Sequence, residues 1–313
     1  MSASDPSTSL LSRERPRLLA LAYRLLGSTS DAEDVVQEAL ARASERNDLA
    51  SPPAFLTTVV THLCLDEHRS ARRRKVHYVG TYLPEPIPTD RLDAPTLADV
   101  EYRENVSMAF MLLLDQLSPP ERAVYVLREL FDVEMREIAV ALDRQEASCR
   151  KLLERARAHI DAGRRLHVPT SAVQESIANA FFMALATGDL AALSTLLAED
   201  AKAVTDHGGT AKAARRTIEG ADDVARFFLG LADKGRRAGS PLTAIFLPLS
   251  GQPGIVLRNV DGTIESALVI QLALRGERAV IDSIYTIRDV QKLATLRAEL
   301  DVALLWSVTP PRD

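Results

Sequence analysis

The stretch LDQLSPPERAVYVLRELFDVEMREIAVALDRQEASCRKLLERARAHI, residues 114–160, decides the fold of the middle of the chain. Apolar residues recur in it at three- and four-residue spacing over 134–142 and again over about 146–161, which predicts two short amphipathic helices. A turn of three polar residues separates them. The outer face of the second helix is basic, and a helix pair of this kind can place its second helix in the DNA major groove. The alternative is a surface helical hairpin with a solvated basic face.

The residues before this stretch predict three more helices. In residues 12–46, Gly27 ends a first helix, and Ser30 with Glu33 forms a capping box that begins a second. Ser51, followed by two prolines, begins a third helix, because the N–H groups that proline lacks have no partner in the first turn.

Two of these helices carry a charged face. Asp31, Asp34 and Glu38 share one face of the second helix, and their mutual repulsion would become attraction beside a basic protein partner. The third helix ends in a run of cations, which suits the helix dipole or an anionic ligand. A solvated surface is the alternative for both faces. The cations are Arg69, Arg72, Arg73, Arg74 and Lys75.

The chain changes character twice after the third helix. Four prolines in 76–100 predict a linker, although Tyr78 and Tyr82 make it more apolar than a solvated linker needs. Beyond residue 169 the patterns predict an α+β domain. Its helices are expected at 173–187, 189–197 and 221–234, and its strands at 201–206, 242–249, 254–260, 264–274 and 278–287.

Composition limits the classes of function. The chain has 313 residues and a net charge of −5, so nucleic-acid binding would have to come from local basic patches. It has no apolar run long enough for a membrane span and no signal-peptide pattern, so a cytoplasmic protein is expected. Cys64 and Cys149 occupy apolar helix positions and are expected to be buried free thiols. No metal or cofactor is expected.

Taken in order, three segments resemble extracytoplasmic-function sigma factors. They are AYRLLGSTSDAEDVVQEALARA (22–43), AFLTTVVTHLCLDEHRSARRRK (54–75) and the stretch 114–160. The resemblance covers about half of the chain. It implies that the first segment binds core RNA polymerase, that the second reads and opens the −10 promoter element, and that the third reads the −35 element.

The resemblance also assigns residues to these roles. The clamp helices of the largest polymerase subunit would contact Asp31, Asp34, Val35, Val36, Gln37 and Glu38, and the polymerase flap would be a second contact. The cations of 69–75 would meet −10 DNA. The −35 element would meet the outer face of the helix-turn-helix, namely Arg144, Glu146, Ser148, Arg150, Lys151 and Arg155.

Three further motifs resemble the subgroup of sigma factors with a fused SnoaL-like domain. They are YVGTYLPEP (78–86), DHGGTAK (206–212) and RDVQKL (288–293), of which the last two are imperfect matches. The resemblance implies that the extra domain is a built-in regulator that docks on its own sigma regions. The expected regulatory contacts are Tyr82, Leu83, Pro84, Glu85, Asp206, Gly208, Gly209 and Lys212.

The sequence therefore predicts two all-α sigma domains, a helical bundle and a helix-turn-helix, followed by an α+β cone domain of the SnoaL/NTF2-like type. The expected boundaries are 1–77, a linker 78–104, 105–165, 173–300 and a tail 301–313. The expected partners are core RNA polymerase and promoter DNA, and no catalytic residue is expected.

The alternative is a DNA-binding module fused to a ligand sensor or to a cyclase- or isomerase-like enzyme. SnoaL-like folds include enzymes that use a carboxylate base in an apolar cone, and Asp206, His207, Asp282 and Tyr285 could serve there. A turn around Gly208 and Gly209 is the simpler interpretation of the first two.

Overall fold

The computed structural model describes residues 6–46, 51–76, 78, 80–89, 107–163, 169–209, 214, 216–238, 242–294 and 296–297. The chain divides into two compact units. The helical unit consists of Met1–His77, Asp90–Pro95 and Phe110–Arg165. The sheet unit consists of Tyr78–Thr89, Thr96–Ala109 and Leu166–Asp313. All three segments that resemble sigma factors thus lie in one unit, and the first part of the linker belongs to the other.

The helical unit is built from amphipathic helices that pack through their apolar faces. Its described helices are α1 (Pro6–Leu26), α2 (Thr29–Ser44), α3 (Pro52–Val76), α4 (Met108–Gln116), α5 (Pro119–Tyr125), α6 (Met135–Ala141) and α7 (Glu146–Gly163). A π-helical turn, Val126–Leu130, follows α5. The helix-turn-helix consists of α6 and α7, each within two residues of the predicted bounds. Cys64 and Cys149 are buried free thiols, as predicted.

Helix starts in this unit follow local capping chemistry. A capping box between Ser118 and Glu121 begins α5, with prolines in its first turn. The predicted cap of α2 at Ser30 is wrong, because the helix begins at Thr29 and the N-cap is Ser28, whose Oγ accepts a hydrogen bond from the Asp31 N–H. Gly27 lies between α1 and α2 with φ +75°, and the helix is capped two residues earlier than a cap at Ser30 would require.

The sheet unit combines three described helices with one six-stranded sheet. The helices are α8 (Ser171–Thr187), α9 (Leu190–Leu196) and α10 (Ala221–Ala238). The strands are β1 (Leu197–Asp206), β2 (Ile218–Glu219), β3 (Thr243–Leu249), β4 (Gln252–Arg258), β5 (Ile264–Arg275) and β6 (Arg278–Ile287). Their order is β2-β1-β6-β5-β4-β3, with β1 and β6 parallel and the other neighbours antiparallel.

The core of this unit lies between one face of the sheet and the helices. Leu268, Ile270 and Leu272 alternate along β5 toward this core, as the period-2 pattern predicts, and they pack with Phe181 of α8 and Phe228 of α10. Ala267 and Val269, which point to the other face, are also fully buried, so both faces of β5 are covered. This architecture confirms the predicted fold class, two all-α modules followed by an α+β domain.

Candidate regulatory and DNA-binding sites

A buried ion pair in the sheet unit holds the main chain of the linker. Asp206, at the end of β1, accepts hydrogen bonds from the Leu83 N–H at 2.9 Å and from the Lys292 ammonium at 2.7 Å. Lys292 Nζ also donates to the Leu83 carbonyl oxygen at 2.6 Å. The side chain of Asp206 is 0% exposed and that of Lys292 is 6% exposed. Both polar groups of one linker residue are thus bound by a pair of opposite charges.

Tyr78 adds a second contact between the linker and this pair. Its hydroxyl hydrogen-bonds to Asp206 and, at 2.7 Å, to Asp289 Oδ2. Lys292 Nζ lies 3.3 Å from the ring centroid of Tyr82 and 4.8 Å from that of Tyr78, so both rings face the cation. Burial, reinforced by the two carboxylates, raises the pKa of Tyr78 well above its ordinary value. We call Tyr78, Leu83, Asp206, Asp289 and Lys292 the linker clamp.

Burial and the neighbouring carboxylates shift the pKa of the clamp lysine in opposite directions. Burial lowers the pKa of Lys292, and the charges of Asp206, Asp289 and Glu85 counteract this effect. Glu85 is itself only 6% exposed. The site is therefore rich in carboxylates, and Lys292 is the cation that Asp206 contacts.

Two glycines allow the chain segments of the clamp to approach each other. Gly80 has φ +98°, and a Cβ there would lie 2.8 Å from Nε2 of His207. Gly208 has φ +56°, and a Cβ there would lie 2.5 Å from Oδ2 of Asp289. Residues with a side chain rarely adopt a positive φ, and a Cβ at either position would lie too close to its neighbour, so glycine is required at both positions.

The linker is fixed again at its far end, beside the turn between β3 and β4. The Ser250 N–H donates to the Ile87 carbonyl at 2.7 Å, and the Gly251 N–H donates to Thr89 Oγ1 at 2.9 Å. Pro88 forms an antiparallel bridge with Leu249. Every residue from Leu83 to Thr89 is buried, which explains why this linker is more apolar than a solvated one.

The expected regulatory residues divide into three groups. Tyr82, Leu83, Pro84, Glu85 and Asp206 lie in or beside the clamp. Gly208 and Gly209 form the turn after β1, where the Gly209 N–H donates to His207 Nδ1. Lys212 lies outside the described residues. Sequence reasoning did not assign Tyr78, Asp289 or Lys292, although the motifs at 78–86 and 288–293 contain them.

The acidic face of α2 is partly exposed, and two of its expected contact residues are not on it. Val35 and Val36 are 7% and 0% exposed and belong to the core of the helical unit. Asp34, Gln37 and Glu38 are exposed. Glu38 forms an ion pair with Arg42 one turn later. The surface that a partner could touch on this helix is therefore polar and acidic.

Ion pairs engage two of the arginines on the outer face of α7. Arg150 pairs with Glu146 on the same helix at 3.1 Å. Arg155 pairs at 3.1 Å with Glu121, the residue of the α5 capping box. The Ser118 hydrogen bonds, with a contribution from Arg155, lower the pKa of Glu121. Arg155 therefore links the outer face of α7 to the start of α5.

The start of α7 and the turn before it carry exposed side chains that are not held in ion pairs and could contact a ligand. Arg144, Ser148 and Lys151 are exposed, and within the described part of the chain none of their side chains has a hydrogen-bond or ion-pair partner. Arg136 of α6 lines the same shallow depression as Arg144 and is also exposed. Arg136 was not among the residues predicted to bind DNA, and its place on the first helix of the pair fits a phosphate contact.

The cations expected to meet −10 DNA, Arg69 and Arg72–Lys75, lie in the last turns of α3, and their side chains are outside the part of the chain that the structure describes. Among the described residues, no group of three His, Cys, Asp or Glu side chains could hold a metal ion. No described helix has both the length and the apolarity that a bilayer crossing requires.

The residues considered for an enzymatic role are engaged in other contacts. Asp206 is bound to the linker and to Lys292. Asp282 pairs with Arg275 at 2.7 Å. Tyr285 is buried in β6, and burial raises its pKa to about 12. A general base must have an accepting atom free for the substrate proton, and Asp206 offers none in this arrangement.

Comparison with known proteins identifies the family. The family model described as Sigma-70 region 2 matches residues 10–74, and the model described as Sigma-70, region 4 matches residues 107–160. The ECF RNA polymerase sigma factor SigJ of Mycobacterium tuberculosis is 40% identical over 223 residues, which cover 70% of this chain and 71% of SigJ. A protein of the same organism named "Probable ECF RNA polymerase sigma factor SigI" is 30% identical over 307 residues, covering 96% of this chain and 99% of SigI.

A solved structure agrees over nearly the whole chain. The crystal structure of M. tuberculosis SigJ matches with a TM-score of 0.70 and 30% identity, and the match covers 91% of this chain and 98% of that one. The relatives are sigma factors, proteins that bind RNA polymerase and promoter DNA, and the α+β domain fits a regulatory role. The chain belongs to the extracytoplasmic-function sigma factors and serves transcription initiation, with an α+β domain after its two sigma regions.

Proposed function

We propose that the sheet unit regulates this sigma factor by holding the linker between the −10-reading and −35-reading modules. The observation that carries the proposal is the linker clamp, in which Asp206 accepts from the Leu83 N–H and Lys292 donates to the Leu83 carbonyl. Because the clamp binds main-chain atoms, it fixes the path of the linker.

The position of the clamp along the chain supports this role. The −10-reading helix α3 ends at Val76, and the linker is bound from Tyr78 to Thr89. Binding this segment shortens the stretch of chain that sets the reach between the two modules. Releasing the segment would add twelve residues, or roughly 40 Å, to that reach. The sheet unit would thereby restrict how far the modules separate.

We assign the expected contacts to the exposed groups. The acidic face of α2 binds the clamp helices of the largest polymerase subunit through Asp31, Asp34, Gln37 and Glu38, and the −35-reading module meets the flap. Arg144, Ser148, Lys151 and Arg136 contact the −35 element, and the cations at the end of α3 contact the −10 element. The sheet unit acts as a regulator and not as an enzyme, and the protein works in the cytoplasm with polymerase.

In-vitro transcription with core polymerase tests the regulatory role. We expect Lys292→Met to release the linker and to raise promoter-specific transcript several-fold relative to the unmodified protein. A truncation ending at residue 168 should shift activity in the same direction. Lys202→Met, at a half-exposed lysine paired with Glu219 in the same unit, is the matched control and should change nothing. Equal transcript from the Lys292 variant, with hydrogen exchange showing that the linker is released, would contradict the proposal.

A further inference from the structure

The outer edge of β3 is an open side of the six-stranded sheet. The strand order places β3 last, with β4 as its neighbour on one side. Within the described residues, the one bridge on its other side joins Leu249 to Pro88 of the linker. The segment from Thr243 to Leu247 therefore presents main-chain groups that a further strand could bind.

The turn between β3 and β4 determines the hydrogen-bonding pattern of this hairpin. Ser250 and Gly251 form a two-residue loop, and both have a positive φ, as a type I′ turn requires. The pair that closes such a loop, here Leu249 with Gln252, is hydrogen-bonded. Hydrogen-bonded and non-hydrogen-bonded pairs then alternate along the hairpin, so the pattern can be counted along β3 from Leu249.

Counting the pairs shows which main-chain groups point outward. Pro248 and Pro253 face each other as the next pair, and two residues without an N–H fit a non-hydrogen-bonded pair, where no N–H is needed. Phe246 and Ala244 lie two and four residues before Pro248, so they occupy the same kind of pair. The N–H and C=O groups of Ala244 and Phe246 thus point away from β4, toward the open side.

The open edge is also apolar. The sequence of β3 is TAIFLPL, and it contains none of the charged residues that often protect an edge strand. Ala244 and Phe246 are only half-buried, and the Phe246 ring packs edge-to-face against Phe182 of α8, with 4.4 Å between the ring centroids. Leu242, just before the strand, is 39% exposed. A strand added here would therefore bury apolar side chains as well as pair with the main chain.

Residues 302–308, VALLWSV, have the composition of a strand that would fit this edge. The run is uncharged, and every residue in it except Ser307 is apolar. Asp301 precedes it and Pro310 follows shortly after, so its length is that of a strand. An apolar run of this length is an aggregation hazard when it is exposed, and it needs an uncharged, apolar partner surface. The edge of β3 is such a surface.

The last described residue lies close enough to the edge for this run to reach it. Hydrogen bonds from Thr263 lower the pKa of Asp261, and the charge of Arg297 acts in the same direction, so Arg297 lies near the turn between β4 and β5. The open side of β3 is two strand spacings from β4's far side, or about 10 Å, and residues 298–301 can span up to about 14 Å. A segment tethered at this distance also meets the edge at a high effective concentration.

We propose that residues 302–308 pair with the outer edge of β3 as a seventh strand, parallel to β3, and so close this edge against pairing with another chain. The direction follows from the tether, which reaches the edge at its Thr243 end. The linker binds the opposite end at Leu249, which leaves the edge up to Leu247 for the added strand. The inference goes beyond the proposed function and does not depend on the linker clamp, so either can fail without the other.

The single tryptophan of the chain, Trp306, reports on this segment in the full-length protein. We expect its emission to be blue-shifted from that of the unfolded protein and its quenching by acrylamide to be several-fold weaker. Ala244→Pro removes an outward N–H but keeps the pairing with β4, so it should lower the docking equilibrium constant about five- to tenfold and shift both signals toward their unfolded values. Ala244→Ser keeps the N–H at the same position and is the matched control, which should change neither signal.

Disulfide cross-linking locates the segment on the sheet. Both native thiols are buried, so introduced cysteines can be followed separately. Val302→Cys should form a disulfide with Leu242→Cys inside one chain, and not with Glu219→Cys, an exposed position on β2 at the opposite edge of the sheet. Leu304→Asp leaves β3 itself unchanged, and it should speed hydrogen exchange in peptides that cover 242–249.

Several outcomes would overturn the proposal. Trp306 could prove fully accessible to acrylamide in the unmodified protein, or its signals could stay unchanged in both Ala244→Pro and Leu304→Asp. A disulfide that joins the Leu242→Cys positions of two chains would show that a second copy occupies the edge instead. If circular dichroism shows that Ala244→Pro does not fold, Leu304→Asp and the disulfides decide, since neither alters the pairing of β3 with β4.

Discussion

The two units each bury a cation that joins distant parts of the chain, but they neutralise it differently. In the sheet unit, Lys292 contacts the fully buried carboxylate of Asp206, and Asp289 lies beside it. In the helical unit, Arg122 and Arg24 are both buried, and the carboxylate paired with Arg122 is the partly exposed Asp115. Anions dominate the first site and cations dominate the second.

This difference in charge balance separates a lasting contact from a reversible one. Breaking one partner of a well-matched buried pair leaves an uncompensated charge, which costs far more than the intact pair contributes. The linker clamp should therefore stay closed under most conditions. In the helical unit, Arg122 Nε donates to the Arg24 carbonyl oxygen at 2.8 Å, and the Arg24 guanidinium carbon lies 5.6 Å from the ring centroid of Phe131. Because this arginine contact also includes a carboxylate that water already reaches, breaking it exposes groups that water can solvate. The same carboxylate-to-amide substitution at the two sites tests this contrast.

The largest effect is expected from Asp206→Asn in the linker clamp. The amide cannot neutralise Lys292, and its NH₂ group would face donors that now bind the carboxylate, so we expect a loss of about 3–5 kcal/mol in the stability of the clamp. Hydrogen-exchange mass spectrometry of the full-length protein should show faster exchange in peptides from the linker and the end of β1. Asp200→Asn, at a 69% exposed carboxylate on the same strand, is the control. If hydrogen exchange in the linker peptides did not change, the linker clamp would not be the more tightly held of the two sites.

A smaller effect is expected from Tyr78→Phe, which removes the hydroxyl between Asp206 and Asp289. The loss of hydrogen bonds to two carboxylates should cost about 1–2 kcal/mol at neutral pH. Since the pKa of Tyr78 is raised by folding, its contribution is present below pH of about 10 and is lost as the pH rises above that value, where the phenol of the unfolded chain ionises first. Urea unfolding from pH 8 to 11 should therefore show the gap between variant and unmodified protein narrowing. If the difference in the free energy of unfolding instead widened with pH, the Tyr78 hydroxyl would not be hydrogen-bonded to the two carboxylates.

Local patterns predicted the elements of both units better than the contacts between distant segments. The apolar spacing of Ile138, Leu142 and Cys149 is a property of neighbouring turns, and it predicted α6 and α7 closely. The cap of α2 was misplaced by two residues because Ser28, Thr29 and Ser30 are all capping residues. Which one serves depends on where the chain leaves Gly27, and this is set by tertiary packing.

Several residues of the two buried sites could not be predicted from the sequence. Asp206 and Leu83 were among the expected regulatory contacts, whereas Lys292 and Asp289 were not, because the clamp joins positions more than 80 residues apart. A lysine at a helical spacing usually indicates a solvated face, and only its burial shows otherwise. Arg122 was overlooked for the same reason, since an arginine beside a proline-capped helix start gives no sign that it is buried.

The smallest effect is expected from Asp115→Asn, the matched substitution in the helical unit. The amide oxygen can still accept from Arg122, and the carboxylate that it replaces is 33% exposed and partly screened by water. We therefore expect a loss of about 1 kcal/mol or less in helical-unit stability, measured by hydrogen exchange in peptides of α1 and α5. Adding salt should reduce this difference further, because screening acts on exposed charges and hardly on buried ones. A loss as large as that of Asp206→Asn would show that the arginine contact is held as tightly as the linker clamp, and the difference in charge balance would then not set the strength of the two sites.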